Sequence, residues 1–302
     1  MTTRRAFLET STAILAATAW PGELVSPLRL PIGFSTLGCP KWDWPRILDF
    51  AAGHGYASIE LRGLLDQMDL PRCPEFAPDR LAATKAQLAQ HELVISDLGS
   101  SANMHEMDAT KRAAALDEGR RFIDLAQSLG APYVRVFGNQ YLPGVAREDM
   151  LTHIARGLRE LGDYAQGKGV TVLIESHGDF TDSPSLEALL RRADSPHVAL
   201  LWDAHHTFVS GKEEPEETVG RLGKYIRHTH LKDSVPAGND RRYVLTGTGD
   251  VPVRRQVQAL KKIGYRGSYS FEWEKRWHPE IEEPEVAFAQ FATVIAQYLQ
   301  GS

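Results

Sequence analysis

The chain has 302 residues, of which 42% are hydrophobic and 24% charged, and a formal charge of −5. This is the composition of a soluble globular protein long enough for one large domain or two ordinary ones. An acidic balance with no Lys/Arg cluster excludes a protein built to neutralise phosphate backbones, so no nucleic-acid partner is expected.

At the N-terminus, Arg4 and Arg5 precede Phe7, Leu8 and a mildly apolar stretch ending Ala17-Thr18-Ala19. That pattern is expected of a twin-arginine export signal over residues 1–19 with a small-residue cleavage site, although Glu9 departs from it. A Pro-containing linker over residues 20–27 would follow, and then a single barrel domain over residues 28–302. The expected location is periplasmic or secreted. No other segment approaches the roughly 20 apolar residues of a membrane span. Cys39 and Cys73 are the two cysteines, and an oxidising compartment would permit them to pair. Sequence leaves that pairing, and the oligomeric state, open.

From residue 28 onward, short apolar runs alternate with longer amphipathic ones. The strand candidates in chain order are RLPIGFST, ASIELRG, LVISDLGSS, PYVRVFGN, VTVLIESHG, HVALLWDAHH, YIRHTHLKD and SYSFEWE. Each is short, rich in β-branched or aromatic residues, and bounded by Gly, Pro, Asp or Asn. Helical patterns lie between them. In RAAALDEGRRFIDLAQSLG, Leu116, Gly119, Ile123 and Ala126 keep a near-helical stripe, and Gly130 supplies the stop. DVPVRRQVQALKKIGYRG reads as a helix opened by Asp250 ahead of Pro252 and ended at Gly264. Eight strand candidates separated by helices, with a last helix in EPEVAFAQFATVIAQYLQ, make an α/β (β/α)8 TIM barrel. An open doubly wound sheet would show a glycine-rich phosphate turn after its first strand, and GFSTLGCPKWDW has none. GTGDVP reads as a turn.

Catalytic side chains of such barrels converge at the C-terminal strand ends. The fifth run ends at Glu175 and His177, the sixth at Asp203, His205 and His206, the seventh at His228, His230, Lys232 and Asp233, and the eighth at Glu272 and Glu274. Carboxylates and an imidazole ending four consecutive strands make a hard, mostly oxygen site, suited to one divalent ion: Mn, Mg, Co or Zn. Glu272 and Glu274 have the same strand parity, so alternation alone leaves open which of them faces the site. Arg62 ends the second run on the same face as Glu60 and is a candidate substrate contact or a structural ion pair. Trp42, Trp44, Trp273 and Trp277 fall in loops at the expected mouth, where they would either stack on sugar faces or pack the loops.

The motifs IESHGDF, WDAHHTF, HTHLKD, GTGDVP and GYRGSYSFEWE, in this order, resemble the sugar isomerase/epimerase family with the xylose-isomerase-like TIM barrel. That family includes ketose 3-epimerases, inosose dehydratases, hydroxypyruvate isomerases and the endonuclease IV repair enzymes. The resemblance implies a metal held by Glu175, Asp203, His230 and Glu272, with Glu175 and Glu272 also acting as the catalytic acid/base pair. It implies that His177, His206 and Lys232 contact a small carbohydrate substrate, to which Arg62 is added as a candidate from its place at the end of the second run. The implied activity is metal-dependent isomerisation or epimerisation of a keto-sugar by proton transfer through an enediolate. A lyase or dehydratase acting on a keto-glycoside or inosose is the alternative reading. An endonuclease IV-like phosphodiesterase fits less well, because the first four strands end without its additional ligands. A catalytically silent carbohydrate-binding barrel would have no use for the four-ligand set.

Overall fold

A computed structural model describes residues 29–301. The export signal and the whole of the linker expected upstream lie outside the described residues. Eight parallel strands close into a barrel: β1 (Ile32–Ser35), β2 (Ser58–Leu61), β3 (Val94–Asn103), β4 (Tyr133–Phe137), β5 (Thr171–Glu175), β6 (Val198–Asp203), β7 (Ile226–Leu231) and, after a hairpin, β10 (Tyr269–Phe271). They pair in sequence order, and β1 pairs with β10 to complete the ring. The eight strand candidates read from the sequence are these eight strands.

Helices α1 (Trp44–Gly53), α2 (Leu81–Gln90), α3 (Ala109–Leu129), α4 (Arg147–Ala165), α5 (Ser183–Ala193), α6 (Ala204–Val209), α7 (Pro215–Leu222), α8 (Val253–Lys262) and α9 (Pro284–Gln300) lie between and after the strands. Local chemistry sets several of their ends. Asp108 accepts from Lys111 N at the start of α3, and Gly130, at φ +80°, ends it in the left-handed conformation that glycine adopts without strain. Helix α8 begins differently from expectation. Its N-cap is Pro252 with no side-chain cap, and Asp250 instead binds Arg241.

Two apolar regions hold the barrel together. The larger lies between strands and helices, where Phe34 of β1 stacks on Phe288 of α9 and Phe271 of β10 stacks on Phe291, with ring centroids 4.2 and 4.3 Å apart. These contacts seal the β1–β10 closure, and burying each ring contributes about 1.5–3 kcal/mol. A separate small cluster of Tyr133, Leu173, Ala199 and Leu201 fills the inside of the barrel. Strand alternation then places Arg135, Glu175 and Asp203 on the same inner face as these residues.

The sequence reading ran the seventh strand straight through HTHLKD. The structure ends β7 at Leu231 and opens a two-stranded antiparallel hairpin, β8 (Asp233–Ala237) and β9 (Asp240–Val244), outside the barrel ring. Asp233 anchors it by accepting from the backbone N–H groups of Gly247, Gly249, Val251 and Ser234. This accounts for GTGDVP as a turn: its amides wrap one carboxylate. Cys39 and Cys73 are buried free thiols. No helix of the described residues is long and apolar enough to cross a membrane.

Candidate metal centre

Register brings the strand-end residues together. Asp203 of β6 pairs with His230 of β7, and His230 pairs with Ser270 of β10. Glu272 follows Ser270 by two positions and emerges on the same face as the strand ends. Glu175 closes the group from β5. One ligand atom from each of Glu175, Asp203, His230 and Glu272 lies within 4.8 Å of the others, and all four residues are buried. His230 Nδ1 is 3.2 Å from Glu175 Oε1, 3.3 Å from Glu272 Oε1 and 3.8 Å from Asp203 Oδ2.

Three carboxylates at one buried point repel one another unless cations stand nearby. The protein supplies two besides the His230 ring itself. Arg135, buried in mid-β4, places Nε 2.9 Å from Glu175 Oε2 and donates from Nη1 to the Ser100 carbonyl. Lys232, fully buried, donates to Asp203 Oδ2 at 2.6 Å and to Glu272, and its ammonium stands 2.8 Å from Glu274 Oε1 in an ion pair. Burial pushes the Glu175 carboxyl up, but the charges of Arg135 and His230 more than offset it and bring it down to about 2. Glu272 is likewise held well below the usual range against its burial, by His230 and Lys232. These residues fit a hard divalent ion: three oxygens and one nitrogen from rigid strand ends, compensated but not neutralised by the flanking cations.

Asp203 has two roles. Its Oδ1 caps α6 by accepting from His206 N at 2.9 Å, leaving Oδ2 for the cluster. Its backbone is tied to the residue that follows β5, because Ser176 Oγ accepts from Asp203 N at 2.8 Å.

Of the expected substrate contacts, His177 and His206 stand at the mouth, partly exposed, with ring centroids 5.1 Å apart. His177 Nδ1 meets Asn139 Oδ1 at 2.7 Å, and His206 Nδ1 meets the Ser176 carbonyl at 3.0 Å. Arg62 is buried, donates from Nη2 to Ser101 Oγ, and has no hydrogen-bond partner for Nη1 among the described residues. It is not paired with Glu60, whose carboxylate is taken by His228, His230 and Ser270. Burial and the neighbouring Arg135 bring it down to about 9, which leaves it charged at neutral pH. Lys232 is placed differently from a residue reaching for substrate hydroxyls: its ammonium is taken up by three carboxylates. Glu274 lies beyond the end of β10 in that ion pair. The mouth tryptophans are corrected in part. Trp42, Trp44 and Trp273 are core residues, and Trp277 is 53% exposed. Trp42 and Trp277 border a cavity of about 470 Å³ that none of the four cluster residues lines.

Sequence reasoning missed Arg135, Asp97, Tyr243 and the role of Glu60. Arg135 and Asp97 carried a signal, a charge inside an apolar strand run, which is rarely buried without a partner. Tyr243 carried none, since only the hairpin brings it to the site.

The family model described as "Xylose isomerase-like TIM barrel" matches residues 48–292. An inosose isomerase from Bacillus velezensis is 24% identical over 234 residues, 74% of this chain and 81% of that protein. The crystal structure of a zinc-bound IOLI protein superposes with a TM-score of 0.74 at 20% identity, covering 90% of this chain and 100% of the other. A D-allulose 3-epimerase from Methylomonas sp. superposes with a TM-score of 0.70 at 21% identity, covering 91% and 100%.

Proposed function

The chain belongs to the xylose isomerase-like TIM barrel family, and we propose that it is a divalent-metal-dependent isomerase or epimerase of a keto-sugar or related carbohydrate. The observation that carries this reading is the convergence of Glu175, Asp203, His230 and Glu272 from four consecutive barrel strands on one buried point. The inosose isomerase relative supports a small carbohydrate as substrate and isomerisation as the reaction class.

In this reading, Glu175, Asp203, His230 and Glu272 hold the ion. A divalent ion there supplies Lewis-acid stabilisation of the oxyanion that develops when a C–H beside a carbonyl is broken. Glu175 and Glu272 come from strands separated by β6 and β7, so their carboxylates approach a carbon between them from different sides. One removes the proton and the other, or the same one, returns it. Arg135 behind Glu175 and Lys232 beside Glu272 keep both carboxylates ionised and ready to accept. His177, His206 and Arg62 border the mouth and orient substrate oxygens. Return of the proton to the opposite face epimerises, and return to the adjacent carbon isomerises. Expulsion of a β-leaving group from the same enediolate would make the enzyme a lyase.

The test is solvent deuterium incorporation. Purified protein loaded with Mn2+ is incubated in heavy water with a panel of keto-sugars and inososes. Deuterium at the carbon beside the carbonyl of the product supports the reading. Repeated turnover with no label removes the two-base roles given to Glu175 and Glu272 and leaves hydride transfer, or return of the same proton by one carboxylate. A protein that binds no divalent ion overturns the proposal as a whole.

A further inference from the structure

The motif His228-Thr229-His230 sends two imidazoles into the barrel, and the four-residue cluster uses only the second. Both rings meet the same acceptor, a carboxylate on the far side of the barrel from the Asp203 strand. Glu60 of β2 is fully buried, and its Oε2 accepts from His230 Nε2 at 2.8 Å, from His228 Nε2 at 2.9 Å and from Ser270 Oγ at 3.1 Å. We infer that Glu60 is a positioning residue which fixes the tautomer and orientation of His230, and so makes Nδ1 a metal-binding atom. This rests on the metal reading above.

The argument follows from what an imidazole can offer. A neutral ring has one N–H and one lone pair. With Nε2–H committed to Glu60, the lone pair must lie on Nδ1, which faces Glu175 and Glu272 at 3.2 and 3.3 Å. The opposite tautomer would donate from Nδ1 into the carboxylates and present a proton where a cation is to bind. A carboxylate behind a metal-binding imidazole also raises its basicity. Glu60 can remain ionised in the barrel interior because three donors converge on one oxygen, whereas a buried carboxylate without partners costs several kcal/mol. His228 therefore has a purpose. Two residues from His230, it shares the inner face and clamps the carboxylate that orients its neighbour. Glu60, His228 and His230 also have the donor types of a metal site. Their contacts of 2.8–2.9 Å are those of hydrogen bonds, with the ring nitrogens already engaged by the carboxylate.

The experiment compares the full chain with Glu60→Gln and, as a control, Ser270→Ala, which removes a donor to the same oxygen without touching His230. Each is stripped by chelator, checked by circular dichroism, and titrated with Zn2+ and Mn2+ by calorimetry. The expected result is one ion per chain in the unaltered protein, an affinity about 10–100-fold weaker in Glu60→Gln, and little change in Ser270→Ala. Nitrogen-15 NMR of the zinc-loaded unaltered protein should show Nδ1 of His230 bound to zinc and Nε2 carrying the proton. This arm needs no variant and decides the matter even where Glu60→Gln does not fold. Zinc on Nε2, or unaltered affinity in a folded Glu60→Gln, overturns the inference and leaves the metal reading standing. Two ions per chain, one of them lost in Glu60→Gln, would overturn it by making Glu60 a ligand itself. No ion bound to the unaltered protein overturns the metal reading and this inference with it.

Discussion

The hydroxyl of Tyr243 donates to Glu274 Oε1 at 2.8 Å, the same oxygen that the buried Lys232 ammonium reaches at 2.8 Å. The β8–β9 hairpin thus fastens the loop after β10 to the strand end of β7. Tyr243 also packs against His205 and His278, with ring centroids 5.5 and 5.0 Å apart. Tyr243→Phe keeps the ring contacts and removes only the donor. It is expected to lower stability by about 0.5–1.5 kcal/mol and to lower activity less than Glu272→Gln, which removes a ligand charge and a proton acceptor together. Thermal melts and turnover of the two variants, measured in parallel, check this; equal losses of activity would place Tyr243 on the substrate.

Lys232 stands among Asp203, Glu272 and Glu274 as a built-in counter-charge. Lys232→Met leaves those carboxylates uncompensated, and breaking a buried ion pair from one side costs about 3–5 kcal/mol. A divalent ion binding the same carboxylates should recover part of that loss. The shift in Tm on adding Mn2+ to chelator-treated protein should therefore be larger for Lys232→Met than for the unaltered chain. An equal shift would mean that Lys232 and the ion do not share the same carboxylates.

Asp97 of β3 is fully buried, and neither of its oxygens has a hydrogen-bond partner among the described residues. Burial pushes its carboxyl up to about 7, opposed by the charges of His228, Arg135 and His230 and reinforced by Glu60. A folded-state value above the unfolded one near 3.8 means that the folded chain holds the extra proton between these limits. The stability Asp97 contributes is thus fully present below the unfolded value and is lost as pH rises through about 7. Asp97→Asn removes the titration. Its advantage over the unaltered protein should grow from pH 5.5 to pH 8 and reach about 1–3 kcal/mol. Urea melts across that range check it, and a pH-independent difference would contradict it.

Cys39 and Cys73 are free and buried, and burial raises both thiols, that of Cys73 to about 12. Thiolate is the reactive form, so neither should react with a thiol reagent in the folded protein. Both should react after unfolding in guanidinium without reductant. A protein that releases thiols only after reduction would carry a disulfide instead.

We propose that residues 1–19 direct export by the twin-arginine route; Arg4→Lys with Arg5→Lys preserves charge and removes the guanidinium pair. Accumulation of the double variant in the cytoplasm, by fractionation, is the outcome expected of a twin-arginine route. Unchanged export would point to another route.

Sequence alone determined the barrel and the run of polar residues at the ends of its last four strands. A strand alternates its side chains with a period of two and a barrel repeats one βα unit, so apolar runs and the polar residue closing each are readable in one dimension. Choosing Glu272 over Glu274 needed family likeness first and then the chain path, because the strand ends at Phe271 and parity no longer applies beyond it. What surrounds the four residues was decided only by closure of the barrel. Glu60 lies 170 residues from His230, and Arg135 reaches Glu175 from mid-strand. Tyr243 arrives on a hairpin of which the seventh strand read from the sequence held only Asp233. Such contacts depend on which inner faces a closed ring turns toward one another, and no local pattern encodes that. Three of the four tryptophans at the mouth show the same point from the other direction. An aromatic residue in a loop serves substrate or core equally well by composition, and packing against α1, α9 and their neighbours put Trp42, Trp44 and Trp273 in the core.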